Sequence, residues 1–205
     1  AMNSSEATSV LEYLTGYSSF LTDLLAARNS NNELIISSDK LANILLLTTY
    51  WSYAAIILNL IETDNAATIL TARNSNNELI ISTVKAAKIL VAKNDDHQIL
   101  YISINKAANI LVAKNENNEL IISTGEAANI LEARDPDNSN QLIISTDYIG
   151  YILKAMSAKD AANIVTAMNS SEATSVLEYL TGYSSFLTDL LAARNSNNEL
   201  IISSD

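Results

Sequence analysis

SINKAANILVAK, Ser103 to Lys114, runs straight into NENNELII, Asn115 to Ile122, and that into STGEAANILEAR, Ser123 to Arg134. The first and third pieces share one plan: a polar cap, two small residues, then Ile-Leu. In the first, Ile104, Ala107, Ala108 and Leu111 fall at i, i+3, i+4 and i+7, the spacing that gathers apolar side chains on one face of a helix. Ser123 and Glu126 have capping-box spacing, in which the cap side chain accepts from the helix backbone and the carboxylate reaches back. Asn169 with Glu172 repeats that spacing, and Ser157 with Asp160 is a shorter imitation. Each unit thus announces its own helix start.

The same template recurs in STVKAAKILVAK (Ser82 to Lys93) and SAKDAANIVTAM (Ser157 to Met168), and more loosely in ETDNAATILTAR (Glu62 to Arg73) and NSSEATSVLEYL (Asn169 to Leu180). A longer period lies over this short one. Ala1–Asp39 and Ala167–Asp205 are identical at every position, 166 residues apart. Repeats at fixed spacing are the mark of a stacked, quasi-one-dimensional architecture. The expected fold is all-α, a solenoid of helices of about 8 to 14 residues running as one continuous body through residues 1–205. Helices so short are marginal alone in water, so stacking must stabilise them; burying Ile110 and Leu111 contributes about 1.5 to 3 kcal/mol each.

The intervening pieces, NSNNELII (Asn74 to Ile81), NDDHQILYI (Asn94 to Ile102), NENNELII and DPDNSNQLII (Asp135 to Ile144), have an Asn- or Asp-rich start and an apolar end. As helices they give an antiparallel pair in each unit; as strands, which adjacent β-branched residues favour, they give an α/β solenoid. The helix is preferred. From Ser145 the units STDYIGYILKAM, SAKDAANIVTAM, NSSEATSVLEYL and TGYSSFLTDLLAAR follow one another with no such piece between them.

Composition narrows the partners. The formal charge is −11, and the 12 basic residues are scattered singly, so nucleic-acid binding, which needs clustered Lys and Arg to displace counterions, is not expected. Absence of cysteine removes disulfides, thiol catalysis and thiolate metal sites. The N-terminal residues lack the basic start and apolar run of a signal peptide. Leu41 to Ile61, LANILLLTTYWSYAAIILNLI, is uncharged and long enough to span a bilayer. The repeat register nevertheless runs through it, and a buried pair of short helices is expected there rather than a membrane span.

AMSAKDAANIVTAMNSSEATSVL, Ala155 to Leu177, resembles the short-helix repeats of the cytosolic N-domain of MgtE-type magnesium transporters and related FliG-like and MotE-like helices. The resemblance covers about two units. It implies a right-handed stack of short helices and does not carry metal sensing with it, because the family's acidic metal ligands have no matching positions here.

Residues able to carry chemistry are few. His97, the only histidine, has no second histidine for a dyad or metal site and reads as a solvent-facing turn residue. Asp135, Asp137 and Ser139 occupy the first, third and fifth positions of a calcium-loop pattern, but Asn140 stands where that loop needs glycine and Thr146 where it needs glutamate. Asn3-Ser4-Ser5 and Asn169-Ser170-Ser171 spell a glycosylation sequon, at positions better suited to helix caps. Tyr50, Trp51, Tyr53, Tyr101, Tyr148 and Tyr151 sit at or beside apolar positions of their units and read mainly as packing; Tyr13, Tyr17, Tyr179 and Tyr183 are candidate interaction residues.

No catalytic set or cofactor-binding loop is present in the sequence, so neither an enzyme nor a cofactor is expected. Two functions follow from the repetition. One is a structural protein, a segment of a longer array that self-associates head to tail; the other is a solenoid that binds a protein or peptide.

Overall fold

In a computed structural model of the chain, which describes residues 3–30, 34–48, 50–94 and 99–203, two compact units are resolved, Ala1–Ser103 and Ile104–Asp205. The first holds α1 (Ser4–Leu14), α2 (Ser18–Ala26), α3 (Ser38–Leu46), α4 (Trp51–Leu60), α5 (Thr63–Leu70) and α6 (Thr83–Leu90). The second holds α7 (Ile104–Leu111), α8 (Thr124–Leu131), the two-residue strands β1 (Arg134–Asp135) and β2 (Gln141–Leu142), then α9 (Thr146–Lys154), α10 (Ala158–Ala167), α11 (Ser170–Leu180) and α12 (Ser184–Leu191). The architecture is all-α and solenoid-like. Each helix packs on the helix two further along its unit, giving the rows α1–α3–α5 and α2–α4–α6 in the first unit and α7–α9–α11 and α8–α10–α12 in the second.

The small-small-x-Ile-Leu template supplies the core. Ala86, Ala87, Ile89 and Leu90 of α6 are buried, as are Ala107, Ala108, Ile110 and Leu111 of α7 and Ala127, Ala128, Ile130 and Leu131 of α8. Four buried positions on so short a helix leave little of its circumference for solvent: the paired alanines admit close neighbours, while Ile and Leu fill the space between rows. Ser82, Ser123 and Ser157 cap α6, α8 and α10 by accepting from the backbone of Lys85, Glu126 and Asp160. Ser123 and Glu126 complete the reciprocal box.

The Asn-rich pieces are not the helices expected for them. Three of them fold into a tight turn closed by an antiparallel bridge, Arg73 to Leu79, Lys114 to Leu120 and Arg194 to Leu200, and a bridge also joins Lys93 to Leu100; in the longest, β1 pairs with β2. The reason is asparagine chemistry. Asn115 Oδ1 accepts from the backbone N–H of Asn117 and of Glu119, both at 3.0 Å, and its Nδ2 donates to the Glu119 carboxylate. Asn118 then takes the left-handed region at φ 61°, open to Asn but costly for most residues. Asn74 with Asn77 and Asn195 with Asn198 repeat the arrangement. The chain resumes helix after one buried isoleucine: Ile81, Ile102, Ile122 or Ile144.

Leu41 to Ile61 contains the expected pair of short helices. α3 and α4 are separate, with Leu41, Ile44, Leu45, Ile57 and Leu58 in the core. Among the described residues no helix is long and apolar enough to cross a membrane. The tandem units without intervening pieces are four successive helices, α9 to α12.

Candidate functional site

The two identical segments have different surroundings, and comparing them position by position defines two faces. In the first copy, α1 packs on α3 and α2 on α4, burying Thr8, Leu11, Leu21 and Leu25. The Thr8 hydroxyl lies 2.8 Å from the Ser4 carbonyl and 3.2 Å from the carbonyl of Ile44 in α3. In the second copy, α11 packs on α9 and α12 on α10, burying instead Val176, Leu180 and Leu190. Val176 is 1% exposed where its counterpart Val10 is 41% exposed, and Leu191 is 44% exposed where Leu25 is 2% exposed. One sequence thus buries one stripe of its helices at one end of the chain and the adjoining stripe, about 100° round the helix, at the other.

Aromatic residues mark the face covered in the second copy. Tyr179 and Tyr183 stand against Tyr151 of α9 at centroid separations of 5.9 and 6.2 Å, nearly edge to face, a geometry that adds to simple burial. Lys154 Nζ lies 3.8 Å from the centre of the Tyr183 ring, a cation–π contact. The helix α9 admits Tyr179 because residue 150 is glycine; a Cβ there would come 2.4 Å from Tyr179 Cδ1. The three hydroxyls are loosely linked, at 3.4 Å for Tyr179 to Tyr183 and for Tyr183 to Tyr151. Those neighbouring hydroxyls, Tyr151 first, raise the Tyr179 phenol above its ordinary 10 and lower that of Tyr183. In the first copy Tyr13 and Tyr17 pair with each other at 5.6 Å and are exposed, and the Tyr13 phenol is raised by its contact with Tyr17.

The helix cap changes with the neighbour as well. In the first copy Asn3 and Glu6 close on one another as a capping box, Asn3 N to Glu6 at 3.1 Å and Glu6 N to Asn3 Oδ1 at 2.9 Å. In the second copy the same letters do not form the box expected of Asn169 and Glu172. Asn169 donates from its backbone and its amide to the Glu132 carboxylate at 2.9 and 2.7 Å, while Glu172 pairs with Arg134. Partners at the end of α8 outcompete the local box. Both sequon asparagines occupy N-cap positions.

Elsewhere the sequence candidates are not gathered into a site. Asp135 Oδ1 accepts from the backbone of Asp137 within the β1–β2 turn, and Ser139 and Asn140 both have positive φ. Among the described residues no group of three or more His, Cys, Asp or Glu could hold a metal. His97 lies outside the described residues. Tyr50 is exposed against the edge of Tyr53, while Trp51, Tyr101 and Tyr148 are half-buried. Identical letters concealed the contrast of Val10 with Val176 and of Leu25 with Leu191, and nothing in the letters pairs Gly150 with Tyr179.

Short helices stacked in rows from a recurring core template define an all-α, solenoid-like repeat protein. No protein-family model matches the chain, and no curated protein or solved structure matches it significantly.

Proposed function

We propose that this is a scaffolding protein, a stretch of a tandem array whose identical segments join head to tail into filaments, within a longer chain or between chains. The observation that supports it is the split burial of one sequence. Helices inside a unit, such as α5, bury all four template positions, Ala66, Ala67, Ile69 and Leu70. α1 buries only Thr8 and Leu11 of its four, and α11 only Val176. Superposing the two patterns buries three of the four template positions, Thr, Val and Leu, close to the full set of a helix inside a stack. The role is architectural rather than catalytic, with self-association as its chemistry.

Electron microscopy of the purified chain over a wide concentration range, with light scattering on the same samples, tests this. Filaments that lengthen with concentration are the expected result. Uniform particles of monomer mass at every concentration would overturn it and direct attention to protein capture by the solenoid surface.

A further inference from the structure

The chain has no cysteine, so no disulfide can tie one helix to another. Tyrosine offers another oxidative route to a covalent tie. We propose that Tyr151, Tyr179 and Tyr183 form an oxidative cross-linking site, at which a haem peroxidase with hydrogen peroxide joins Tyr151 of α9 to Tyr179 or Tyr183 and so staples the second copy to its neighbour. The site goes beyond the head-to-tail function and does not depend on it.

Two phenols couple through their ortho carbons, which flank the carbon bearing the hydroxyl, so converging hydroxyls bring the reacting atoms together. The Tyr183 hydroxyl lies 3.4 Å from those of both Tyr151 and Tyr179. The Tyr151 ring centre is 5.9 Å from that of Tyr179 and 6.2 Å from that of Tyr183. Neighbouring groups hold the rings in this arrangement. Gly150, beside Tyr151, leaves the space that the Tyr179 ring fills. Lys154 Nζ lies 3.8 Å from the Tyr183 ring centre and 5.8 Å from that of Tyr151, a cation shared by the two rings. All three tyrosines are half-buried, so the phenols stay open to an oxidant while the rings keep their places. Tyr151 and Tyr183 are 32 residues apart in the chain, so a bond from α9 to the second copy closes a long loop. The pairs Tyr13 with Tyr17 and Tyr50 with Tyr53 are also close, but a bond within either closes only a few residues of chain.

The chemistry balances on the peroxide. Each phenol gives one electron to the oxidised haem and its hydroxyl proton to solvent, leaving a phenoxyl radical whose unpaired electron is shared with the ortho carbons. Two such radicals pair in a new carbon–carbon bond between ortho carbons, and the hydrogen on each of those carbons moves to restore a hydroxyl. Hydrogen peroxide takes up the two electrons and two protons and leaves as two molecules of water. The neighbouring hydroxyls, Tyr151 first, lower the Tyr183 phenol below its ordinary 10, which eases the loss of its proton.

Peroxidase treatment of the full chain at high dilution, followed by digestion and mass spectrometry of the monomer fraction, tests the site. The expected product is a pair of peptides joined through Tyr151 to Tyr179 or Tyr183 and lighter by two hydrogens. Tyr151→Phe keeps the ring and removes the hydroxyl, and should abolish that product. Because the bond closes a long loop, the oxidised parent should melt about 5 °C or more above the untreated chain, whereas oxidised Tyr151→Phe should show no such rise. Absence of a Tyr151 cross-link within the monomer, whether or not other tyrosines couple, would overturn the site. A Tyr151 bond that leaves the melting point where it was would overturn the stapling. Neither result bears on whether the chains form filaments.

Discussion

Gly150 occupies a helical position that alanine fills in α5, α6, α7, α8 and α10. Glycine there costs about 1 kcal/mol in helix propensity, so something must offset it, and the Tyr179 ring lying over the missing side chain does. The sign of a substitution is therefore set by its neighbour. Gly150→Ala should destabilise the chain by about 1 to 2 kcal/mol, overpacking outweighing the propensity gain, whereas the same change in a Tyr179→Ala background should stabilise it by about 1 kcal/mol. Urea unfolding of the four proteins of this cycle measures both, and stabilisation by Gly150→Ala beside an intact Tyr179 would dismiss the steric explanation. Asn3 and Asn169 make a similar point with polar chemistry, since one spacing of Asn and Glu closes a local box in one copy and opens it to Glu132 and Arg134 in the other.

Helices and turns were unequally legible in the sequence. The helices could be read because Ala-Ala-x-Ile-Leu puts four apolar side chains on one face, and no other period explains Ala107, Ala108, Ile110 and Leu111 together. The turns were misread because NENNELII has the letters of a cap followed by an apolar run. What decides against helix is Asn118 in the left-handed region and Asn115 spending its side chain on two backbone donors. Both options come from asparagine and only the fold selects between them. Asn115→Ala should accordingly cost about 1 to 2 kcal/mol through the lost turn bonds. Asn118→Gly should be neutral or mildly stabilising, and Asn118→Val should lose about 1 to 2 kcal/mol because a β-branched residue is disfavoured at that φ. Thermal unfolding followed by circular dichroism ranks the three; equal behaviour of Gly and Val at 118 would mean the turn is not held in this conformation.

For the whole molecule, duplication is visible in the letters but its consequence is not. A sequence compared with itself shows Ala1–Asp39 and Ala167–Asp205 as equal, and nothing in it says which side of each copy is covered. Packing breaks the equality. Neighbours α3 and α4 cover one stripe of the first copy, neighbours α9 and α10 the adjoining stripe of the second. Different buried stripes on identical segments are what the proposed head-to-tail assembly rests on, and they can be weighed in dilute protein by truncating the same residue in each copy. The most direct measurement is the urea unfolding free energy of Leu25→Ala beside Leu191→Ala, and of Val10→Ala beside Val176→Ala. Split burial predicts a loss of about 2 to 5 kcal/mol for Leu25→Ala and of about 1.5 kcal/mol for Val176→Ala. Leu191→Ala and Val10→Ala should stay within about 0.5 kcal/mol of the parent. Equal losses at matched positions in the two copies would contradict it.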